Sequence, residues 1–400
     1  MSEWREITLG ALCAEGGGGI QTGPFGSQLH ASDYVLDGIP SVMPQNIGDN
    51  VIHAEGIARI QESDALRLAK YRMRNGDIVY SRRGDVEKRA LVRENNEGWL
   101  CGTGCLRVRL GEQSEHSPAF VSYLLGTEEA RAWIVRHAVG ATMPNLNTSI
   151  LAAVPLQVPE PAEQRAIAEV LGVLDDKIAA NTKLSVTASQ LMVSLLTPYP
   201  VRLPLSEIAV HRRRSANPES ISVENVAHFS LPAFDTDRCP EVSKPANIKS
   251  NKFVIAEPSV LISKLNPRFP RIWDVATLPS IPALASTEFL VLEPKEESTA
   301  VIWAMLSQPL FSASLESRVS GTSSSHQRVK PGDVLATPVT DLSSVPTAVK
   351  RQISLLGSRV AATRVENATI AATRDALLPQ LMSGKLRVKD AEKVLEDAGV

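Results

Sequence analysis

The sequence has few of the features that mark secreted, membrane or disulfide-rich proteins. Its 400 residues include four cysteines, and aromatic residues make up 4% of the chain. A chain this long with so few cysteines is not expected to rest on a disulfide framework. No stretch approaches the roughly 20 uninterrupted apolar residues of a membrane span. The start, MSEWREITLG, lacks the basic patch and apolar run of a signal peptide, so we expect a cytoplasmic protein.

The chain also lacks an excess of charge of either sign. Its 42 basic and 44 acidic residues give a net charge of −2, which is not typical of a nucleic-acid-binding protein. Phosphate binding, however, requires a local basic face and depends little on the average charge. The charge balance therefore leaves DNA binding open.

Recognisable catalytic and metal-binding motifs are missing as well. The sequence has neither the Asn-Pro-Pro-aromatic motif of amino methylation nor the phosphate-binding Gly-x-x-x-x-Gly-Lys motif. The GGGG run at residues 16–19 lacks a strand before it and a helix after it, and we interpret it as a flexible loop. Cys101 and Cys105 resemble half of a metal site, but no second pair follows at ligand spacing. We interpret them as small apolar residues in a strand and expect no metal.

What the sequence does contain is a long internal duplication. NGDIVYSRR at residues 75–83 aligns with EPSVLISKL at residues 257–265, and CGTGCLRV at residues 101–108 aligns with ASTEFLVL at residues 285–292. A repeat of about 190 residues predicts two copies of one plan rather than a single large domain. The short β-branched and apolar runs in each copy are bounded by Gly, Pro and Asn, which predicts strands. We therefore expect two α/β (α+β) domains in tandem.

A long periodic helix follows each copy. Apolar residues recur at alternating three- and four-residue spacing, which predicts a coiled-coil seam, and we expect the two helices to pair antiparallel. Equivalent seam positions hold Asn, where a buried amide costs stability but fixes the register. The alternative is two amphipathic helices that each pack only on their own domain. The expected seam residues are Ile167, Leu171, Leu174, Ile178 and Asn181 in the first helix and Ile353, Leu356, Val360, Asn367 and Ile370 in the second.

The junction that enters the first helix carries a family resemblance. GATMPNLNTSILAAVPLQVPEPAEQRAIAEVLGVLDDKI resembles the equivalent junction of the specificity (S) subunits of type I restriction-modification systems, the HsdS family. GPFGSQL at residues 23–29, RNGDIVYSRRGD at residues 74–85 and the C-terminal RDALLPQLMSGKLRV resemble further motifs of that family. The resemblance covers essentially the whole chain. It is weaker after Leu196, where PNLN is replaced by SHQR and the Glu-Gln-Arg-x-Ile signature by VKRQISLL.

This resemblance implies a non-catalytic DNA-recognition subunit. Two target-recognition domains, residues 1–158 and 199–345, would each read one half-site of a bipartite target. Two helices, residues 159–198 and 346–386, would pair as an antiparallel coiled coil that sets the gap, and residues 387–400 would form a tail. The implied partners are double-stranded DNA and two methyltransferase subunits, with or without a restriction and translocation subunit. No cofactor would be bound directly.

Candidate DNA contacts are loop amides, which read base edges, and loop cations, which bind phosphates. For each residue the alternative is a solvated turn, since Asn in loops is commonly a turn former. In the first domain the candidates are Ser27, Gln28, Gln45, Asn46, Arg82, Arg83, Lys88, Arg89, Asn145 and Asn147. In the second domain they are Arg212, Arg213, Arg214, Lys264, Arg268, Arg271, His326, Gln327 and Arg328.

Two other functions stay open at the level of sequence. One is a divergent nuclease or methylase, in which Asp85 and Glu87 beside Lys88 would be the acidic pair. The other is a specificity-like scaffold of a different defence complex that does not bind DNA, which the near-neutral charge favours.

Overall fold

The computed structural model describes residues 4–140, 143–236, 238–318 and 327–398. The chain divides into two compact units. Unit 1 comprises Met1–Ile178 and Thr369–Val400, and unit 2 comprises Ala179–Ala368. Within the described ranges, every helix is too short or too polar to span a lipid bilayer.

Unit 1 is built on short strands. Strands β2, β9, β6 and β7 form one antiparallel sheet in that order, and β3, β5, β4 and β8 form a second sheet in which β4 and β8 are parallel. Strand β1 pairs with β10, the strand that leads into the first long helix. The bounds are β1 (Arg5–Thr8), β2 (Gly19–Thr22), β3 (Tyr34–Val35), β4 (Ile39–Val42), β5 (Ala58–Ile60), β6 (Ile78–Ser81), β7 (Arg89–Leu91), β8 (Leu100–Cys101), β9 (Cys105–Arg109) and β10 (Pro155–Val158).

The helices of unit 1 begin at residues that satisfy free backbone N–H groups. Ser117 Oγ accepts from the N–H of Phe120, and Asn147 Oδ1 accepts from the N–H of Ile150. Such capping bonds favour a helix start because the first-turn N–H groups have no partner inside the helix. The bounds are α1 (Leu9–Glu15), α2 (Glu62–Arg67), α3 (Pro118–Leu124), α4 (Glu128–His137), α5 (Thr148–Ala152) and the first long helix, α6 (Pro161–Leu196).

Unit 2 repeats this arrangement. Strands β12, β20, β17 and β18 form one sheet, β13, β16, β19, β14 and β15 form a second, and β11 pairs with β21. The strand bounds are β11 (Val201–Pro204), β12 (Ala209–Arg212), β13 (Ser215–Ala216), β14 (Val226–Phe229), β15 (Glu241–Ser243), β16 (Lys252–Ile255), β17 (Ser259–Ser263), β18 (Ile272–Val275), β19 (Ala283–Ala285), β20 (Phe289–Pro294) and β21 (Pro338–Thr340). The helices are α7 (Leu231–Thr236), α8 (Thr299–Leu306), α9 (Pro309–Glu316), α10 (Pro331–Leu335) and the second long helix, α11 (Thr347–Met382), which the C-terminal α12 (Val388–Ala398) follows.

The predicted duplication is confirmed in three dimensions. The sheet order β2-β9-β6-β7 of unit 1 corresponds strand by strand to β12-β20-β17-β18 of unit 2. Register agrees as well, since Val79 lies opposite Arg107 in the first sheet and Leu261 lies opposite Val291 in the second. These pairs are the positions that the aligned sequence segments equate.

The two long helices pack against each other and against a domain core at once. In unit 1, Leu171 and Leu174 of α6 share one core with Ile370 of α11 and with Phe120 of α3. In unit 2, Ile353 of α11 shares a core with the C-terminal end of α6. Full burial of such side chains stabilises by roughly 1.5–3 kcal/mol each. Helix pairing and packing on a domain, which the sequence posed as alternatives, therefore occur together.

The two long helices also run in opposite directions past each other. Asp175 contacts Arg374 in unit 1, and Asn181 contacts Asn367 in unit 2. Residue numbers therefore rise along α6 as those of the contacting residues fall along α11. This is the expected antiparallel pairing. The helices are slightly shorter than expected, ending at Leu196 and Met382.

The C-terminal segment differs from the expected tail. It forms the amphipathic helix α12, whose Ala391 and Leu395 are buried in the core of unit 1. The sequence signal was present, because Ala391, Val394 and Leu395 recur at helical spacing between charged residues.

Candidate nucleic-acid interface

Two of the predicted contact loops in unit 1 are joined by backbone hydrogen bonds. The N–H of Leu146 donates to the carbonyl of Arg82 at 2.8 Å, and the N–H of Gly84 donates to the carbonyl of Pro144 at 3.1 Å. Arg83 and Asn145 form a β-bridge between these bonds. The SRRGD loop after β6 and the MPNLN loop before α5 therefore form one continuous surface.

The same pairing recurs in unit 2. The N–H of Val329 donates to the carbonyl of Lys264 at 3.0 Å, and the N–H of Asn266 donates to the carbonyl of Gln327 at 2.9 Å. Leu265 and Arg328 form the bridge. The SKLNPR and HQR loops thus stand in the place of the SRRGD and MPNLN loops, even though their sequences have little in common.

The GPFGSQL loop reaches the same end of the sheet in unit 1. Strands β2 and β6 both run antiparallel to β9, so their C-terminal ends lie on one side. The Arg82 guanidinium carbon lies 5.9 Å from the centre of the Phe25 ring. The side-chain oxygen of Gln28 accepts from the N–H of Phe25 at 3.2 Å and from the Tyr71 hydroxyl at 2.8 Å. Gln28 therefore stabilises the loop, and Ser27 beside it is exposed.

Asn46 is not accessible to DNA, in contrast to our expectation. Its side chain is 3% exposed. Its oxygen accepts from the N–H of Met43 at 3.0 Å, and its amide nitrogen donates to the carbonyl of His53 at 3.3 Å. Both polar atoms therefore hold the turn, whereas the neighbouring Gln45 is exposed. The sequence could not separate the two amides, because a capping Asn and an exposed Gln look alike without their partners.

Arg89 is likewise buried and structural. It is 2% exposed in strand β7 and donates to the carbonyl of Ser122 and to a carboxylate oxygen of Asp49, both at 2.6 Å. Burial by itself would raise the pKa of Asp49, but Arg89 and Arg131 outweigh it and hold the pKa below its ordinary value. Lys88 remains exposed and lies 3.5 Å from Asp85. The basic run thus divides, with Arg89 directed into the domain.

The two Asn residues of the MPNLN loop differ in their roles. Asn147 caps helix α5, since its side-chain oxygen accepts from the N–H of Ile150 at 2.8 Å and from the Ser149 hydroxyl at 2.9 Å. Asn145 lies at the bridge to Arg83, with its backbone also paired to Val139. Asn147 is therefore a helix-capping residue, and base reading by Asn145 stays a prediction.

Several cations of unit 2 are engaged by acidic neighbours. Arg271 forms a bidentate salt bridge with Asp235, with N···O distances of 2.7 and 2.9 Å. Arg212 contacts Glu293 and Arg328 contacts Glu288 in the same way, with shortest distances of 2.7 and 2.9 Å. Bidentate salt bridges fix the relative orientation of the two side chains, although exposed ones contribute little to stability. These three guanidiniums would have to exchange a carboxylate for a phosphate in order to bind DNA.

The other cations predicted to contact DNA have no acidic partner within the described part of the chain. Among the predicted contacts they are Arg82, Arg83, Arg213, Arg214, Lys264 and Arg268. Arg213 donates to the ring of His211 at 3.3 Å. Burial, Arg213 and Lys264 together lower the pKa of His211 to about 4, so this ring is neutral at pH 7. Gln327 is half-buried beside this surface, and His326 lies outside the described residues.

Two exposed aromatic residues of these loops were not among the contacts predicted from the sequence. Phe25 and Phe269 are 54% and 66% exposed, and both lie in the loops described above. Their exposure could have been predicted from the flanking residues in GPFG and PRFP. Gly and Pro are typical of loops, and a Phe in a surface loop commonly cannot reach the hydrophobic core.

Within the described ranges, no three His, Cys, Asp or Glu side chains converge as metal ligands would. Cys101 and Cys105 are buried in strands β8 and β9, and burial raises the pKa of the Cys101 thiol to about 12. Cys105 donates to the carbonyl of Val42 at 3.3 Å.

Comparison with known proteins found a relative, a solved structure and a family model that match this chain. A relative, the type I restriction enzyme HindI specificity subunit of Haemophilus influenzae, is 24% identical over 202 residues, which are 49% of this chain and 40% of the relative. The chain thus spans less than half the length of that relative. The crystal structure of a type I restriction-modification S subunit from M. genitalium shares the fold, with 18% identity, a TM-score of 0.53 and coverage of 95% of this chain and 96% of the other. The family model described as the type I restriction modification DNA specificity domain matches residues 40–188. The matched residues include the SRRGD and MPNLN loops and the start of the first long helix.

Proposed function

We propose that this chain is the DNA-recognition subunit of a type I restriction-modification complex. Each unit reads one half-site of a bipartite target, and the paired helices set the gap between the half-sites. The chain itself is non-catalytic and binds no cofactor directly. It holds the methyltransferase subunits, two in number, on the DNA, and a restriction subunit joins them where the system has one.

One observation carries the proposal. The loop after strand β6 pairs with residues 144–146 in unit 1, and the loop after strand β17 pairs with residues 327–329 in unit 2. Two surfaces of one geometry but different side chains are what two half-sites of different sequence require, because base identity is read by side chains on a common frame. The cations of these loops that lack acidic partners supply the phosphate contacts.

Single-molecule sequencing of methylated bases tests the proposal. Cells that carry this gene together with its neighbouring methyltransferase gene should show methylation at a split motif. Cells with the methyltransferase alone should not. Absence of new methylation, with both proteins expressed and soluble, would contradict the recognition role.

The helix spacer can be tested in the same assay. Removal of one heptad from α6 should change the gap of the methylated motif and leave both half-sites as they were. Changed half-sites with an unchanged gap would disprove the role of the helices as a spacer.

A scaffold of a defence complex that does not bind DNA is the second candidate, favoured by the net charge of −2. A salt titration separates the two functions. A DNA reader loses affinity for duplex steeply as ionic strength rises, whereas a pure protein scaffold binds no duplex at any salt concentration.

A further inference from the structure

Two exposed phenylalanines occupy the candidate DNA surfaces, one in each unit. Phe25 is 54% exposed and Phe269 is 66% exposed, whereas the other aromatic side chains of the described residues are buried or half-buried. Single exposed apolar side chains are common on protein surfaces, so it is the location of these two rings that is informative. Their position in the predicted contact loops calls for a partner that accepts both a flat ring and positive charge.

A fixed turn presents the Phe25 ring. The carbonyl of Phe25 accepts from the N–H groups of Gln28 and Leu29 at 2.8 and 3.3 Å, and the N–H of Phe25 donates to the Gln28 side chain. Gly26 follows Phe25, and a Cβ at Gly26 would have no described atom within 4 Å. The ring therefore projects from a short, hydrogen-bonded turn with open space beside it.

Arg82 lies over this ring and has no acidic partner among the described residues. Its guanidinium carbon is 5.9 Å from the ring centre. Its Nε is buried and makes no hydrogen bond within the described residues. The backbone of Arg82 is fixed by bonds to Gly104 and Leu146, so the charge is held beside the aromatic face. The pair offers an apolar plane and a cation to one ligand.

Unit 2 builds a similar pair from a different loop. Asn266 adopts a left-handed φ of 51°, and its carbonyl accepts from the N–H of Phe269 at 2.9 Å. This bond closes a turn that contains Pro267 and is followed by Pro270. The Arg268 guanidinium carbon lies 5.8 Å from the Phe269 ring centre. This loop follows strand β17, the equivalent of the strand β6 that leads to Arg82. The same end of the equivalent sheets thus carries an exposed ring and a cation in both units.

We propose that Phe25 and Phe269 are wedges that insert between adjacent base pairs of duplex DNA, one in each half-site, with Arg82 and Arg268 on the flanking phosphates. Apolar wedges partly unstack a base step and kink the duplex. The cost of unstacking depends on the step, and pyrimidine–purine steps are the easiest to open, so each wedge adds sequence preference without a base-edge hydrogen bond. This inference rests on the proposed function, since it assigns a mode of reading to the same surface.

The test uses the full chain, its methyltransferase partner and duplexes that carry the methylated motif. 2-Aminopurine is placed in turn at each adenine of the half-sites except the methylated one, because the methyltransferase itself flips that base out of the stack. Wild type should increase 2-aminopurine fluorescence at one step of each half-site, because unstacking relieves quenching. Phe25→Ala should abolish the increase in one half-site only, and Phe269→Ala in the other only. Each should weaken binding about tenfold, within the range measured for base–aromatic stacking.

Matched controls are exposed apolar residues on helices outside the loops. Val135→Ala on α4 and Leu310→Ala on α9 remove side chains that are 47% and 67% exposed, and they should change neither fluorescence nor affinity. Phe25→Trp should keep the fluorescence increase. A mismatch at the opened step should restore most of the affinity of Phe25→Ala, because the step is then already weakened.

The possible failures are distinguishable. If wild type binds no duplex, the proposed function fails. If wild type binds its motif without increasing 2-aminopurine fluorescence at any position, the wedge is disproved while recognition stands. The same holds if Phe25→Ala and Phe269→Ala increase the fluorescence as much as wild type does. If the two variants instead lose the methyltransferase and keep duplex affinity, the rings dock a protein and the inference is overturned.

Discussion

The amide nitrogen of Asn181 donates a hydrogen bond to the side-chain oxygen of Asn367 at 2.9 Å, and these two residues occupy the same position of the two repeats. In an antiparallel helix pair, two equivalent residues of the repeats contact each other only at a local two-fold axis. Asn181 is 6% exposed, so an unsatisfied amide there would be costly. The pair therefore specifies one register, since sliding either helix would separate the two amides.

Asn181→Leu should destabilise the protein by about 1–3 kcal/mol, because it leaves the Asn367 amide without this partner in the interface. Replacing both Asn by Leu should recover the loss, since a well-packed apolar pair is often as stable as a buried polar one. Urea unfolding of the two single variants and the double variant measures the coupling. Additive losses would contradict a direct interaction between the two amides.

Asp175 should matter far more to stability than Asp375, although both contact Arg374. Asp175 is 11% exposed and also accepts from the Tyr123 hydroxyl at 2.7 Å, whereas Asp375 is 64% exposed. Asp175→Asn should lower the free energy of unfolding by about 1–3 kcal/mol, because the largely buried guanidinium of Arg374 loses its ion pair with Asp175. Asp375→Asn should cost at most about 1 kcal/mol, as exposed pairs do.

The same urea assay checks this pair of variants. The Asn side chain keeps the shape of Asp and removes only its charge, so the comparison isolates the ion pair from packing. Equal effects of Asp175→Asn and Asp375→Asn would show that burial does not control the contribution of these carboxylates.

The sequence predicted the repeat and the helix pairing because both follow from periodicity. Aligned strand segments and the recurring Asn were sufficient to equate positions such as Asn181 and Asn367. It could not sort the candidate contacts, because whether a cation faces solvent or a carboxylate depends on neighbours distant in the chain. Arg89 and Arg82 are seven residues apart in one basic run, yet Asp49 engages the first, and the second lies over Phe25.

His211 should make the stability of the protein depend on pH below neutrality. Burial, Arg213 and Lys264 lower the pKa of His211 in the folded state to about 4, whereas in the unfolded chain the side chain titrates near the ordinary histidine value of 6.5. Between these values the unfolded chain binds a proton that the folded chain does not, so stability falls as pH falls through this window. After allowance for solvent screening of a half-buried ring, the loss from pH 7 to pH 4 is about 1–2 kcal/mol.

His211→Gln should remove this part of the pH dependence. Urea unfolding of wild type and variant at pH 7, 5 and 4 measures the difference between their slopes, which cancels the other titrating groups. His228, whose pKa is lowered by burial and by Lys252, contributes in the same direction in both proteins. Parallel stability curves for wild type and His211→Gln would contradict the prediction.

Arg82 and Arg83 should bind phosphate, whereas Arg74, at the opposite end of strand β6, should not. Arg74 contacts Glu112 at 2.6 Å and is 58% exposed, so it is a matched surface cation. Arg82→Ala and Arg83→Ala should weaken binding to every duplex and each reduce the slope of log affinity against log salt by about 0.9. Arg74→Ala should leave the slope unchanged. Fluorescence anisotropy across a salt series measures all three variants, and an equal slope for Arg74→Ala and Arg83→Ala would show that DNA does not lie on this end of the sheet.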